Sequence, residues 1–183
     1  MADNTANSKK MLTLSWGNPG QYVKNLTQAD AKWTKLPDAA EGTVQTTPTK
    51  GDKVEANTEA GIPEALRYKK SKYAHAYGIR EAAEREMPFE DVDGVITDEY
   101  ALIVIPENPN AKGMYMERSA VSAEDPYNAS DGVIYTYTHD ALAPSKGKQV
   151  KRGIIKVEEK DGAYTFQAKG KDFGSADTFV DIG

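Results

Sequence analysis

The sequence predicts a mainly β protein, a β-sandwich or open β-barrel with one short flanking helix and an extended β-hairpin arm. Three observations predict it. Tyr100, Ala101, Leu102, Ile103, Val104 and Ile105 form the chain's strongest hydrophobic run. That run is long enough for a buried strand and far too short to cross a bilayer. Strand-like runs follow it to the end of the chain, among them 133–138, 150–157 and 163–168. Turn residues rather than helical periodicity separate them, as in Asp131-Gly132 and Lys160-Asp161-Gly162.

Length and composition set the frame. A chain of 183 residues with 39% hydrophobic residues supports one domain with a modest core. Residues 1–10 are polar, lack the apolar stretch of a signal peptide, and read as a flexible N-terminal arm. Residues 11–183 read as a single β-rich domain. The net charge of −5 argues against general binding to a phosphate backbone. With no cysteine, disulfides, thiolate catalysis and cysteine metal sites are excluded. Ten tyrosines against four phenylalanines suit strand faces and interfaces, where the ring packs and the hydroxyl stays wet.

Met11, Leu12, Leu14 and Trp16 suggest a first strand, closed by the turn Gly17-Asn18-Pro19-Gly20. Residues 21–34 show no clear period, and Trp33, Leu36 and Pro37 lead into a polar stretch. Between 38 and 61, Val44 and Val54 are the sole branched aliphatics, while five threonines favour extended chain. Thr49-Lys50-Gly51-Asp52-Lys53 reads as a hairpin turn between two polar strands. This makes residues 43–59 a candidate assembly arm, centred on Thr49, Lys50, Gly51, Asp52, Val54 and Glu55. A long loop is the alternative.

Ile62-Pro63-Glu64-Ala65-Leu66 resembles one helical turn with proline near its start. Tyr73, His75, Tyr77 and Ile79 then alternate, which predicts a strand with one aromatic face. A helix over 69–86 competes but is weakened by Gly78. Beyond Ile79 the chain reads as a short helix or irregular stretch to Met87, closed by Pro88. The run from Glu99 to Ile105 is apolar on both faces and predicts a strand buried on both. Residues 113–118 place Met114 and Met116 opposite Tyr115. Val133, Tyr135 and Tyr137 share a face. Residues 154–168 predict a hairpin about Asp161-Gly162, and Phe173, Phe179, Val180 and Ile182 a final edge strand. The total is six to nine strands.

Chemistry-bearing residues are sparse. His75 and His139 are the two imidazoles, and His139-Asp140 has no third partner at a ligand spacing, so both read as structural or solvent-exposed. Gly17-Asn18-Pro19-Gly20 lacks the Gly-Lys-Ser/Thr ending of a phosphate loop. Glu81, Glu84, Glu86, Glu90, Asp91 and Asp93 are interleaved with Arg80 and Arg85 and read as a solvated loop face, not a paired acid and base. Arg67, Lys69, Lys70 and Lys72 form one basic group, and Lys146, Lys148, Lys151 and Arg152 another. Both fit either solvated strand ends or contacts with acidic surfaces on a partner. No catalytic set, metal site or cofactor is expected.

The layout over residues 38–157 resembles the phage tail tube proteins, the major tail proteins of long-tailed phages. Three stretches carry the resemblance. The first is the Thr- and charge-rich arm with Thr49-Lys50-Gly51-Asp52 and Val54-Glu55-Ala56-Asn57-Thr58-Glu59. The second is the connection between the strands ending near Ile79 and starting near Glu99. The third is Asp131-Gly132-Val133-Ile134-Tyr135-Thr136-Tyr137, the linker 143–148, and Gln149-Val150-Lys151-Arg152-Gly153. The resemblance implies a β-sandwich or β-barrel core with a flanking helix. It further implies assembly with itself into hexameric rings, stacked as a hollow tube, and contact with other tail proteins. DNA would pass through the lumen without sequence-specific binding. No catalytic residue, cofactor or membrane contact is implied. The location would be the virion, or the host cytoplasm before assembly. The 43–59 arm would bridge subunits or rings, and the N-terminal arm would order on assembly. Two other readings stand beside it: a non-catalytic β-sandwich that binds carbohydrate or peptide through clustered tyrosines, and a small hydrolase built on the acidic group.

Overall fold

The computed structural model describes residues 13–182, and over these the chain is antiparallel β throughout. The first strands are β1 (Gly20–Asn25), β2 (Thr34–Lys35), β3 (Gln45–Thr49), β4 (Lys53–Asn57), β5 (Pro63–Tyr68) and β6 (Lys72–Arg80). The long central strands are β7 (Val95–Ile105), β8 (Gly113–Glu124) and β10 (Gly132–Ala141), with the short β9 (Tyr127–Asn128) between the last two. The chain closes with β11 (Val150–Lys160), β12 (Ala163–Gly170) and β13 (Ser175–Ile182). Eleven strands form one sheet that does not close, while β4 and β5 form a separate pair.

β8 organises the sheet. One of its edges pairs with β7. The other pairs with β11 over Gly113–Met116 and with β10 over Ser119–Glu124. The sheet therefore divides at β8 into two wings, one running through β10 and β6 to β3, the other through β11 and β12 to β13. Each wing supplies its own core. Leu102, Val104, Met114 and Met116 face Tyr77, Ile79 and Tyr137 in the first. Ala101, Ile103, Ile105 and Tyr115 face Ile155, Phe166 and Ala168 in the second. β7 is thus buried on both faces, as its unbroken apolar run predicts. β1 works the same way with two residues: Tyr22 enters the second core and Val23 the first.

Several expectations are met. Tyr73, His75, Tyr77 and Ile79 lie on β6, with the last three buried. β11 and β12 form the expected hairpin, whose two-residue turn has Asp161 at φ 52° and Gly162 at φ 72°. Two successive positive φ values match the right-handed twist of the flanking strands. β13 is the final edge strand, paired with β12.

Four expectations are corrected. No α-helix occurs among the described residues, so the flanking helix is absent, and a single 3-10 turn at Lys171–Phe173 is the one helical feature. Ile62–Leu66 does not form a helical turn: Pro63–Tyr68 is β5, held by pairing with β4, which outweighs a weak local signal. Leu14 and Trp16 are not in a strand, while Met11, Leu12 and the flexible arm at 1–10 lie outside the described residues. The first strand is instead β1, from the stretch without a clear period, and it pairs with β7 along its whole length. With these changes the described residues hold thirteen strands rather than six to nine.

The fourth correction concerns the arm. Thr49–Lys53 is not a hairpin turn, because β3 and β4 do not pair with each other. β3 pairs with β6, and β4 with β5. Thr49 lies opposite Lys72, and Lys53 opposite Tyr68, so both ladders keep one register. Gly51 sits where the two chains cross closely: a Cβ there would stand 2.1 Å from the Lys69 carbonyl oxygen. Glycine is required for backbone approach at this joint, not for reversal. The reversal comes later, at Thr58–Ile62, where the Thr58 N–H donates to the Ile62 carbonyl and the Gly61 N–H to the Thr58 carbonyl, both at 2.9 Å, and Gly61 adopts φ 77°. The arm is one long hairpin built from β3–β4 and β5–β6.

Candidate functional site

The distal part of this hairpin, β4 and β5, is the most unusual surface of the molecule. Every residue of both strands is exposed. Directly opposed residues share a face. Val54, Ala56, Ala65 and Arg67 therefore occupy one side, and Lys53, Glu55, Leu66 and Tyr68 the other. Val54, Ile62, Leu66 and Tyr68 are the large apolar groups it presents. Local polar contacts set the hairpin's base. Lys69 Nζ bonds Asp52 at 3.2 Å, the Lys69 N–H donates to the Asp52 carbonyl at 2.9 Å, and Lys50 Nζ stands 3.9 Å from the Tyr68 ring centroid. Lys53 bonds Glu55 along β4 and holds its carboxyl below the usual range.

Of the expected arm residues, Thr49 ends β3, Lys50, Gly51 and Asp52 form the joint, and Val54 and Glu55 lie on the projecting part. Sequence reasoning missed the return strand: Leu66, Arg67 and Tyr68 belong to the same surface.

The sheet also ends openly. Among the described residues β3 pairs with β6 alone and β13 with β12 alone. Pro48 within β3 removes one donor from that edge, a common protection against unregulated pairing.

The histidines form no site. His75 is 1% exposed and His139 fully buried. His75 Nε2 stands 2.9 Å from Gln21 Oε1, which can only accept, so Nε2 carries the proton. Its Nδ1 then accepts from the Thr46 hydroxyl at 2.8 Å. Ser119 donates its hydroxyl proton to the Tyr100 carbonyl at 2.8 Å, so His139 Nδ1 must donate to Ser119 Oγ at 2.9 Å. His139 Nε2 accepts from Tyr77 Oη at 3.0 Å. Both rings are neutral and fully bonded. Burial, with the nearby Arg152 charge, pushes His75 down to about 4, and burial pushes His139 down to about 3. Among the described residues no three His, Cys, Asp or Glu side chains group as metal ligands.

One buried polar atom lacks a partner. Tyr137 Oη makes no hydrogen bond, although Tyr137 is fully buried between Tyr77, Phe89 and Tyr135. The Tyr137→Phe variant keeps the ring packing and removes the orphan. We expect it to unfold at higher urea, with a gain of about 1 kcal/mol. A loss of stability would show that the hydroxyl is satisfied in solution.

The tyrosines are mainly core residues. Tyr22, Tyr77, Tyr100, Tyr115 and Tyr137 are buried, and the two exposed ones stand apart, Tyr68 on the separate β4–β5 pair and Tyr127 on β9 beside β10. The carboxylates from Glu81 to Asp93 lie exposed along an irregular connection rather than converging in a cleft. No helix among the described residues is long and apolar enough to cross a membrane.

Comparison with known proteins finds no family model that matches the chain and no matching curated protein.

Proposed function

We propose that this protein is a structural subunit that assembles with itself into rings stacked as a hollow tube, in the manner of a phage tail tube. On this reading, DNA passes through the lumen without sequence-specific contact, and the protein resides in the virion or, before assembly, in the host cytoplasm. Other tail proteins would cap the tube. The chain performs no catalysis and needs no cofactor in this role.

The observation that carries the reading is the fully exposed β4–β5 hairpin. A two-stranded ribbon without a packed face is marginal in water, and this one shows apolar groups on both sides. Such a ribbon gains most by docking on another copy, which would cover Val54, Leu66 and Tyr68 and offset the cost of ordering the arm. The open edges of β3 and β13 offer backbone groups for lateral continuation from subunit to subunit.

The test is negative-stain electron microscopy of concentrated protein across salt and pH, with a variant in which residues 53–68 are replaced by Asn-Gly. We expect rings or tubes of uniform diameter from the wild type. The shortened variant is expected to remain monomeric with a thermal midpoint unchanged within a few degrees, since no residue removed is buried. Featureless wild-type monomers under all conditions would remove the assembly reading and favour a binding module.

A further inference from the structure

Charge is distributed unevenly along the strand axis. β6 covers nine residues from Lys72 to Arg80, roughly 30 Å of extended chain. The hairpin leaves from its Lys72 end. There, Lys50, Lys53, Arg67, Lys69, Lys70 and Lys72 stand against Asp52 and Glu55, all exposed. The 143–149 connection, with exposed Lys146 and Lys148, borders the same end, where Pro144 and Lys148 share a surface cavity with Lys70 and Tyr73. Arg67, Lys70 and Lys72 make no ion pair among the described residues.

The opposite end of β6 opens into the acidic connection. Glu81, Glu84, Glu86, Glu90, Asp91 and Asp93 are exposed there, with Arg80 and Arg85 as the opposing charges. Arg85 spends one N–H on the Arg80 carbonyl, and Arg80 one on the Asp131 carbonyl. Sheet register brings Glu124 and Asp125 to this end as well, because Thr136 of β10 lies opposite Glu124 and Ile134 opposite Arg80. Exposed apolar groups sit among these carboxylates: Val92 at 76%, Val95 at 60% and Tyr127 at 76%. Each pole therefore combines unpaired charge of one sign with uncovered apolar side chains.

Resting on the assembly reading, we infer that copies of this chain associate head to tail: the basic base of the hairpin receives the acidic pole of the next copy. Leu66 and Tyr68 then cover Val92, Val95 and Tyr127, while Lys70 and Lys72 meet Glu84, Glu86 and Glu90. The hairpin lies along the flank of the receiving copy, with its acidic tip residues Glu59 and Glu64 beyond the carboxylate rim. Because the two surfaces differ, the contact is heterologous and propagates instead of closing as a two-fold dimer. Like poles repel, which sets one polarity along the stack.

The absence of cysteine makes the contact testable by disulfide trapping. Leu66→Cys and Val92→Cys are prepared separately, mixed and oxidised mildly. The mixture is expected to give the heterodimer at several times the yield of either homodimer, and raised salt is expected to lower that yield. Adding Lys70→Glu/Lys72→Glu to the Leu66→Cys chain should abolish trapping. Adding Glu84→Lys/Glu86→Lys to its Val92→Cys partner should restore it. Dominant Leu66→Cys homodimers, or equal trapping with Leu26→Cys, placed in the bend after β1 as a control, would overturn the inference. If the wild type forms rings or tubes and no heterodimer is trapped, the polarity fails and the assembly reading stands. If the wild type is monomeric and nothing is trapped, both fail.

Discussion

Acidification from pH 7 to pH 5 is expected to cost this protein about 4 kcal/mol of folding stability through two side chains. The cause is the buried pair His75 and His139. In the unfolded chain each takes up a proton near the ordinary value of 6.5, whereas in the folded protein burial holds them down to about 4 and about 3. The folded state therefore binds fewer protons than the unfolded one, so stability is full above pH 6.5 and is lost as pH falls toward the folded values. By pH 5 each histidine contributes a loss of about 2 kcal/mol. Against an ordinary total of about 5–15 kcal/mol, the loss is large. Urea unfolding at pH 7, 6 and 5 reads it directly. Imidazole proton resonances of the folded protein should stay unshifted down to pH 5. A flat stability profile, or a histidine titrating near 6.5 in the folded protein, would refute the buried neutral assignment.

The second large effect is expected from Phe166→Ala. Phe166 is 2% exposed and meets Tyr22 and Trp33 edge to face, with centroids at 5.0 and 5.1 Å. Tyr22, Trp33, Tyr115 and Ile155 are already packed in the same core, so the void is not filled by collapse of a free neighbour. The loss should be about 3–5 kcal/mol. Tyr127→Ala, at 76% exposure, serves as the control and should change stability by less than about 0.5 kcal/mol. Parallel urea titrations distinguish them. A Phe166→Ala loss below about 1 kcal/mol would mean that β12 does not close the second core.

Both effects depend on residues whose strands are legible locally. Alternation identifies β6, β10, β11 and β12, since a half-buried strand needs period two. The apolar run 100–105 identifies β7 as buried on both faces. Asp161-Gly162 identifies a hairpin because few other residue pairs accept two positive φ values. The sequence leaves the two histidines as either structural or solvent-exposed, and burial with bonded ring nitrogens decides for the first.

The projecting surface was half legible. The threonines and charges of 43–59 mark an exposed arm, and Thr49 through Glu55 lie on it. The place of reversal was misread because Lys50-Gly51-Asp52 has turn composition, while its glycine serves the close passage of Lys69. The return strand was hidden by Pro63, Glu64 and Ala65, which suit a helix start as well as an extended edge.

What the sequence by itself determined is therefore the strand content, the inward faces of the alternating strands and the double burial of β7. These follow from side-chain period and residue type, which act over a few positions. The tertiary structure alone decided the pairing: that β3 joins β6, that β8 splits the sheet into two wings, that Tyr22 and Val23 of β1 enter different cores, and that the acidic and basic groups stand at opposite ends of β6. Pairing and polarity arise from contacts between residues far apart in the chain. Several registers bury similar area locally, and the choice among them falls to the packing of the two cores together.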